Sequence, residues 1–283
     1  MQKIIIITDS DSSLSEEMLS TYNIRQVAIN IHFGDDTYES GVDLNDKTLF
    51  ERVDKEGKLP TTSAPSPGQF QKEFKKAFED GCEEIICFCV SSEISATVKA
   101  AQQAKDMMES DAITIVDTQT VSLGQGFIVL EAAKLANEGK SKEEILAAAK
   151  DVQENMHLFA ALSTLKYLAM GGRISHLQAG VAGIMEVKPI LTTKDGKLEV
   201  LERIRTRKKS LARLLELVEE SVGDASIKRI GIIQCVCMEE AKVLQEKVRE
   251  HWQIEGDIPI VEFTPGLSVH SGVGLLGLAV YTD

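Results

Sequence analysis

The chain of 283 residues is short of positive charge: 31 lysines and arginines stand against 44 aspartates and glutamates, a formal net charge of −13. Contact with phosphate backbones wants the opposite balance, so nucleic acid is excluded as the main partner. Long apolar runs are missing too, since none approaches the ~18 residues of a membrane span. The opening MQKIIIITDSDSSLS meets polar turn residues too early for a signal peptide, so the expected setting is soluble and cytoplasmic. Cysteines number five, an odd count, which argues against a disulfide framework in a chain without signs of secretion. Four of them form C-x-C pairs, Cys87/Cys89 and Cys235/Cys237, inside apolar strand-like runs. In a strand this spacing puts both sulfurs on one face, and without the glycine-rich turns of a zinc knuckle the pairs read as core residues. LGQGF at 123–127 lacks both the third glycine of a dinucleotide fingerprint and the lysine of a phosphate loop. No G-x-S-x-G turn marks a serine hydrolase. Repeats, low-complexity tracts and flexible linkers are absent as well.

What is present is an alternation of short apolar runs and longer amphipathic ones. KIIIITDS reads as a buried strand, followed by a helix from about Ser13 with Glu16 completing a capping box. IRQVAINIHFGDDTYES reads as two strands turning at Gly34-Asp35-Asp36. PSPGQFQKEFKKAFEDG is a helix opened by Ser66 and Pro67 and closed by Gly81. EEIICFCV, a helix over 96–108, AITIVDT and two helices over 122–138 and 141–155 complete a βαβ series, which means a mostly parallel sheet. From HLFAALST onward the pattern becomes more antiparallel: a hairpin turning at Asp195-Gly196, helices over 208–221 and 239–250, and a closing strand LLGLAVYT. The expected fold is α/β in two closely packed domains, 1–156 and a smaller mixed one over 157–283, with a ligand in the crevice between them.

Ligands of parallel sheets sit beyond the carboxyl ends of strands, which directs attention to four loops. They are Asp9–Ser13, TTSAPS (61–66), SSEISAT (91–97) and HSGVG (270–274). Asp9–Ser13 serves equally well as a helix cap. TTSAPS has more hydroxyls than one cap requires, SSEISAT opens a helix whose free amides suit a carboxylate or phosphate, and His270 is placed to hydrogen-bond an anion. STLKYLAMGGRISHLQAG (163–180) ends a helix in Gly171 and Gly172 with Arg173 behind them; the glycines read either as a plain stop or as room made for a bound group.

In series, IITDSDSSLS, TTSAPSP, SSEISATVKAAQQA, VDTQTVSLGQGFIVLEAA, STLKYLAMGGRIS, VKPILTTKDGKLEVLERIRTRKKS and HSGVGLLGLAV resemble the DegV family of bacterial fatty-acid-binding proteins along nearly the entire chain. The resemblance implies a two-domain protein that encloses one long-chain fatty acid, with no cofactor and no metal. It implies further that the protein is not itself a catalyst but presents the carboxyl group to a separate kinase subunit, which makes an acyl phosphate from ATP for phospholipid synthesis. Transient membrane contact is compatible with that role. Carried over residue by residue, Thr62 or Ser63, Ser95 and the amides from Ala96 onward resemble the carboxylate cradle, and His270 the head-group histidine. Arg173 and Arg205 resemble the basic residues at the mouth that matter for phosphorylation. Two departures stand out: Ala96 where the family usually has glycine, and Gly272-Val273-Gly274 where it has glycine-proline-glycine. LQAGVAGIMEV (177–187), small and apolar, is expected either to line the tunnel or to form an ordinary buried helix. The alternative function is a stand-alone phosphoryl- or acyl-transfer enzyme with His270 as base, which the missing nucleotide loop disfavours.

Overall fold

The computed structural model describes residues 3–172 and 187–283. Its first half runs β1 (Ile4–Asp9), α1 (Glu16–Thr21), β2 (Arg25–Val27), β3 (Asn30–Phe33), β4 (Asp36–Glu39), α2 (Asp46–Glu56) and β5 (Thr61–Ser63), and continues through α3 (Pro67–Glu79), β6 (Glu84–Cys89), α4 (Thr97–Met108), β7 (Ile113–Asp117), α5 (Leu123–Asn137) and α6 (Lys142–Glu154). The second comprises β8 (Met156–Ala161), α7 (Lys166–Met170), β9 (Lys188–Lys194), β10 (Lys197–Ile204), α8 (Arg207–Val222), β11 (Ile227–Gln234), α9 (Met238–Trp252), β12 (Ile260–Glu262), α10 (Pro265–Ser271) and β13 (Leu276–Thr282).

The described residues form three sheets. An all-parallel one has the order β2-β1-β6-β7, as the βαβ spacing predicts. A six-stranded one, β10-β9-β8-β13-β11-β12, is antiparallel except for its last pair and takes every strand from Met156 onward among the described residues. A small antiparallel sheet, β4-β3-β5, lies apart. Helix α5 joins the two larger sheets. It is buried on all sides from Leu123 to Leu130, and apolar there except for Gln125, because it packs on the parallel sheet with one side and the six-stranded sheet with the other. Gly126 lets it approach the first loop, since a Cβ there would lie 2.7 Å from the Ser12 carbonyl oxygen. One continuous core therefore runs from Ile6 and Phe88 through Val129 to Leu158 and Ile233.

The local expectations fail in instructive places. The first helix is capped by Ser15, whose hydroxyl accepts from Met18 N–H, and not by Ser13, which has left-handed φ (55°) at the end of a 3-10 turn. The segment 24–40 makes three strands, because β2 joins β1 in the parallel sheet while β3 and β4 form the hairpin. TTSAPS is in part strand β5, and His270 stands on helix α10 instead of in a loop. Cys235 and Cys237 lie past the end of β11 with Val236 (φ 51°) between them, so they do not share a strand face. Cys87 and Cys89 do, with sulfurs 3.8 Å apart in the core beneath α3 and α4.

Candidate functional site

Helix α10 begins at Pro265, whose fixed φ suits a first helical turn, and ends at Gly272, φ 75°. A Cβ on Gly272 would collide with the Tyr167 ring, so glycine is required there for space as well as for backbone. Two buried hydrogen bonds fix the helix: Ser268 Oγ donates to Asp46 Oδ1 (2.7 Å) and Gly266 N–H donates to Ser40 Oγ (2.9 Å). Burial lifts the Asp46 carboxyl to about 7, with the hydrogen bond from Ser268 holding it back and the Glu262 charge adding to the rise. Leu267 and His270, one turn apart, then share a face. His270 Nε2 stands 3.0 Å from Thr62 Oγ1 on β5, which the register with Ile31 turns inward. A Cβ on Gly171, at the end of α7, would collide with His270 Nδ1.

Opposite this pair is the turn after β6. Ser91 O accepts from the N–H groups of Ile94 and Ser95, both at 3.0 Å, and Ser91 Oγ donates to the Gly196 carbonyl (2.7 Å), tying the turn to the β9–β10 hairpin. Ser95 Oγ lies 2.8 Å from Thr97 Oγ1. Helix α4 follows with Ala96 in the capping position, where methyl offers no acceptor, so the first-turn amides have no side-chain cap. Aspartate 9 has a different task from the one a hydroxyl-rich loop suggests: its oxygens accept from Asp11 N–H (2.9 Å) and Val90 N–H (2.7 Å), locking the ends of β1 and β6 together. Complete burial raises its carboxyl to about 6 against those bonds.

Between the two walls opens a cleft of about 990 Å³, at the carboxyl ends of β1 and β6. Thr62, Ser63, Ser95, Ala96 and His270 all line it, with Asp11 and Gly266 at its floor. Through Ile94, Leu267 and His270 it borders a second, apolar chamber of about 50 Å³, enclosed by Leu158, Ala160 and Leu191 of the six-stranded sheet and by Val121 and Leu168. Polar groups thus converge where an apolar chamber begins.

Residues 3–283 match the model of the DegV family. The chain belongs to the DegV family. A DegV domain-containing protein of Caldanaerobacter subterraneus subsp. tengcongensis is 32% identical over 98% of both chains. Among solved structures, a fatty-acid-binding DegV family protein of Thermus thermophilus superposes with a TM-score of 0.92 at 28% identity, covering 99% of this chain and 100% of that one. DegV of Bacillus subtilis, a fatty acid binding protein, gives 0.89 at 28% identity with both chains covered completely.

Within this DegV chain the expected site residues have unequal places. Thr62 faces His270, whereas Ser63, next along the strand, is exposed and lies 2.8 Å from His32 Nε2. Ala96 has φ −79°, which alanine adopts freely, and Val273 is not left-handed, so neither departure from the DegV pattern strains the backbone. Arg205 is exposed between β10 and α8 and does not line the cleft. It follows Ile204, which pairs with Lys188, and Lys188 Nζ donates to Ser163 O (2.8 Å), so Arg205 is at the sheet end where α7 starts. Arg173 and the expected lining residues 177–186 lie outside the described residues. Ile94 and Leu267, which with His270 line both cavities, were not singled out by sequence reading. The spacing of Leu267 and His270 by three was the available signal, hidden because PGLSVHS resembles a loop.

Proposed function

We propose that this protein holds one long-chain fatty acid, its carboxylate at Thr62, His270, Ser95 and the α4 amides, its chain in the chamber behind Leu267. The carrying observation is the Thr62–His270 pair at the junction of a polar cleft and an apolar chamber. Fatty acid binding by the Thermus and Bacillus relatives supports the reading. About 14 methylenes at ~0.8 kcal/mol each supply roughly 11 kcal/mol of gross transfer free energy before ordering costs. The hydrogen bonds then have only to orient the head group. A chamber of 50 Å³ has room for about two waters at ~30 Å³ each, so an acyl chain enters by moving the walls apart.

In the fuller reading the protein is a cytoplasmic carrier, not a catalyst, built of units 1–156 and 157–283 around the ligand. It presents the carboxylate to an ATP-dependent kinase subunit, with Arg173 and Arg205 supplying positive charge for transfer. The test starts with native mass spectrometry and organic extraction of the purified protein, where one fatty acid per chain is expected. Thr62→Val, which keeps shape and removes the hydroxyl, should weaken oleate binding by roughly ten- to a hundredfold, the scale of a hydrogen bond to a charged group. Added kinase subunit and ATP should convert the bound acid to acyl phosphate. Protein that neither carries nor takes up palmitate or oleate would refute the proposal; loaded protein that no kinase consumes would remove its second half alone.

A further inference from the structure

We infer that Asp46 is a proton-operated latch on helix α10, so that the ligand is held tightly while this carboxyl is neutral and loosely once it ionises. The inference rests on the fatty-acid reading above. Helix α10 is a wall common to both cavities: Gly266 lines the cleft, Ser271 the chamber, and Leu267 and His270 line the two together. At seven residues it is too short to hold its own shape, so its position depends on what grips it. Of the two buried hydrogen bonds that fix it, the one from Gly266 N–H to Ser40 Oγ involves no ionisable group. The other, from Ser268 Oγ to Asp46 Oδ1, does, and Ser268 stands two residues from the imidazole that meets Thr62.

The surroundings of Asp46 suit a neutral carboxyl. The residue is 1% exposed, and a buried carboxylate needs several donors or a cation. From α10 it receives the Ser268 bond alone. Its Oδ2 meets no donor at bonding geometry among the described residues, with only the buried Cys235 thiol nearby. Strand β12 contributes Glu262, a charge of like sign. On α2 itself the neighbouring Lys47 is exposed and turned to Glu51 (3.9 Å), and Phe50 packs against the neutral Tyr167 ring of α7. Across α10, Asp11 lies against Gly266. Burial accordingly lifts the Asp46 carboxyl to about 7, where the proton is exchanged near neutrality.

Loss of that proton leaves a charge between α2 and α10 with one donor for two oxygens. Water supplies the missing donors only if α10 draws away from α2, which carries His270 off Thr62 and Leu267 off the chamber. The charge also opposes a ligand carboxylate held by the same helix. Both effects have one sign, so affinity is full below pH ~6 and falls as pH rises through ~7. The widening that an acyl chain needs in order to enter the chamber of about 50 Å³ is then governed by one proton, and by linkage the binding of ligand takes a proton up.

Displacement titrations with oleate at about pH 6 and about pH 8, on the wild type and Asp46→Asn, decide the matter. The amide keeps an oxygen for Ser268 and never ionises, and any titration of His270 or of the ligand is common to both proteins. Between the two pH values the wild type should lose about tenfold more affinity than the variant. Calorimetry near pH 7 in buffers of different ionisation enthalpy should show proton uptake with oleate by the wild type, reduced in Asp46→Asn. If Asp46→Asn does not fold, Asp46→Ser is read by the same comparison. A wild type that binds no oleate at either pH overturns the fatty-acid reading and this inference with it. Oleate binding with parallel pH profiles and equal proton uptake in the two proteins, or with the wild type gaining on the variant as pH rises, overturns this inference alone.

Discussion

Thr62 and Ser63 carry the same functional group on adjacent residues, and the pleat of β5 gives them different neighbours: His270 for one, His32 for the other. A sequence reader sees two equivalent hydroxyls; alternation of side chains along a strand separates them, but only once TTS is known to be a strand. Asp46 is the residue whose role was least visible. It is the first residue of α2, where an acid is ordinary helix chemistry, yet it is buried and holds α10 through Ser268. With its carboxyl lifted from the usual 3.8 to about 7, the folded state keeps a proton that the unfolded chain has released. The stability this contributes is full below pH ~4 and is lost as pH rises to ~7. Asp46→Asn keeps an oxygen for Ser268 and never ionises. It should be more stable than wild type at pH 8 by on the order of 2 kcal/mol, with the difference fading toward pH 4. Urea unfolding at the two pH values measures this, and parallel pH profiles for both proteins would contradict it.

At the scale of elements, the double glycine after α7 has a divided explanation. Gly171 has φ −79°, a conformation any residue tolerates, and is small because the His270 ring fills the space beside it. Gly172 has φ 72° and open space around it, so its requirement is the left-handed backbone alone. The plain stop is thus what Gly172 provides, while the room at Gly171 is taken by a side chain of the protein and not by a bound group. Gly171→Ala should leave the melting temperature nearly unchanged yet reduce fatty acid affinity about tenfold, by displacing the imidazole from Thr62. Gly172→Ala should do the reverse, costing about 1 kcal/mol of stability and no affinity. Thermal melts and displacement titrations on the two variants separate the explanations; equal effects on affinity would show that the His270 contact does not matter.

For the whole molecule the decisive element is α5, which packs on both larger sheets at once. Gly126→Ala pushes a methyl toward the Ser12 carbonyl and should destabilise by about 1–3 kcal/mol, the usual cost of overpacking. Because the core runs through α5 without a break, calorimetry should show one transition moving down as a unit. Two separating peaks would instead establish that residues before and after 156 unfold independently.

Chain periodicity determined much by itself: the parallel βαβ series, the antiparallel second half, the cap of α3 at Ser66 and the hairpin at Asp195-Gly196 are all local patterns of apolar spacing and turn chemistry. The same patterns, together with the family resemblance, marked five residues that line one cleft. Only the tertiary structure decided how they work. That His270 meets Thr62 across 208 positions, that Ser63 lies against His32 instead and that Leu267 joins cleft to chamber all depend on which faces are brought together. Three-residue β5 and seven-residue α10 are too short for periodicity to reveal, and long-range packing gives them their form. The apolar residues of a binding chamber and of an ordinary core obey the same burial rule, so no local pattern distinguishes them.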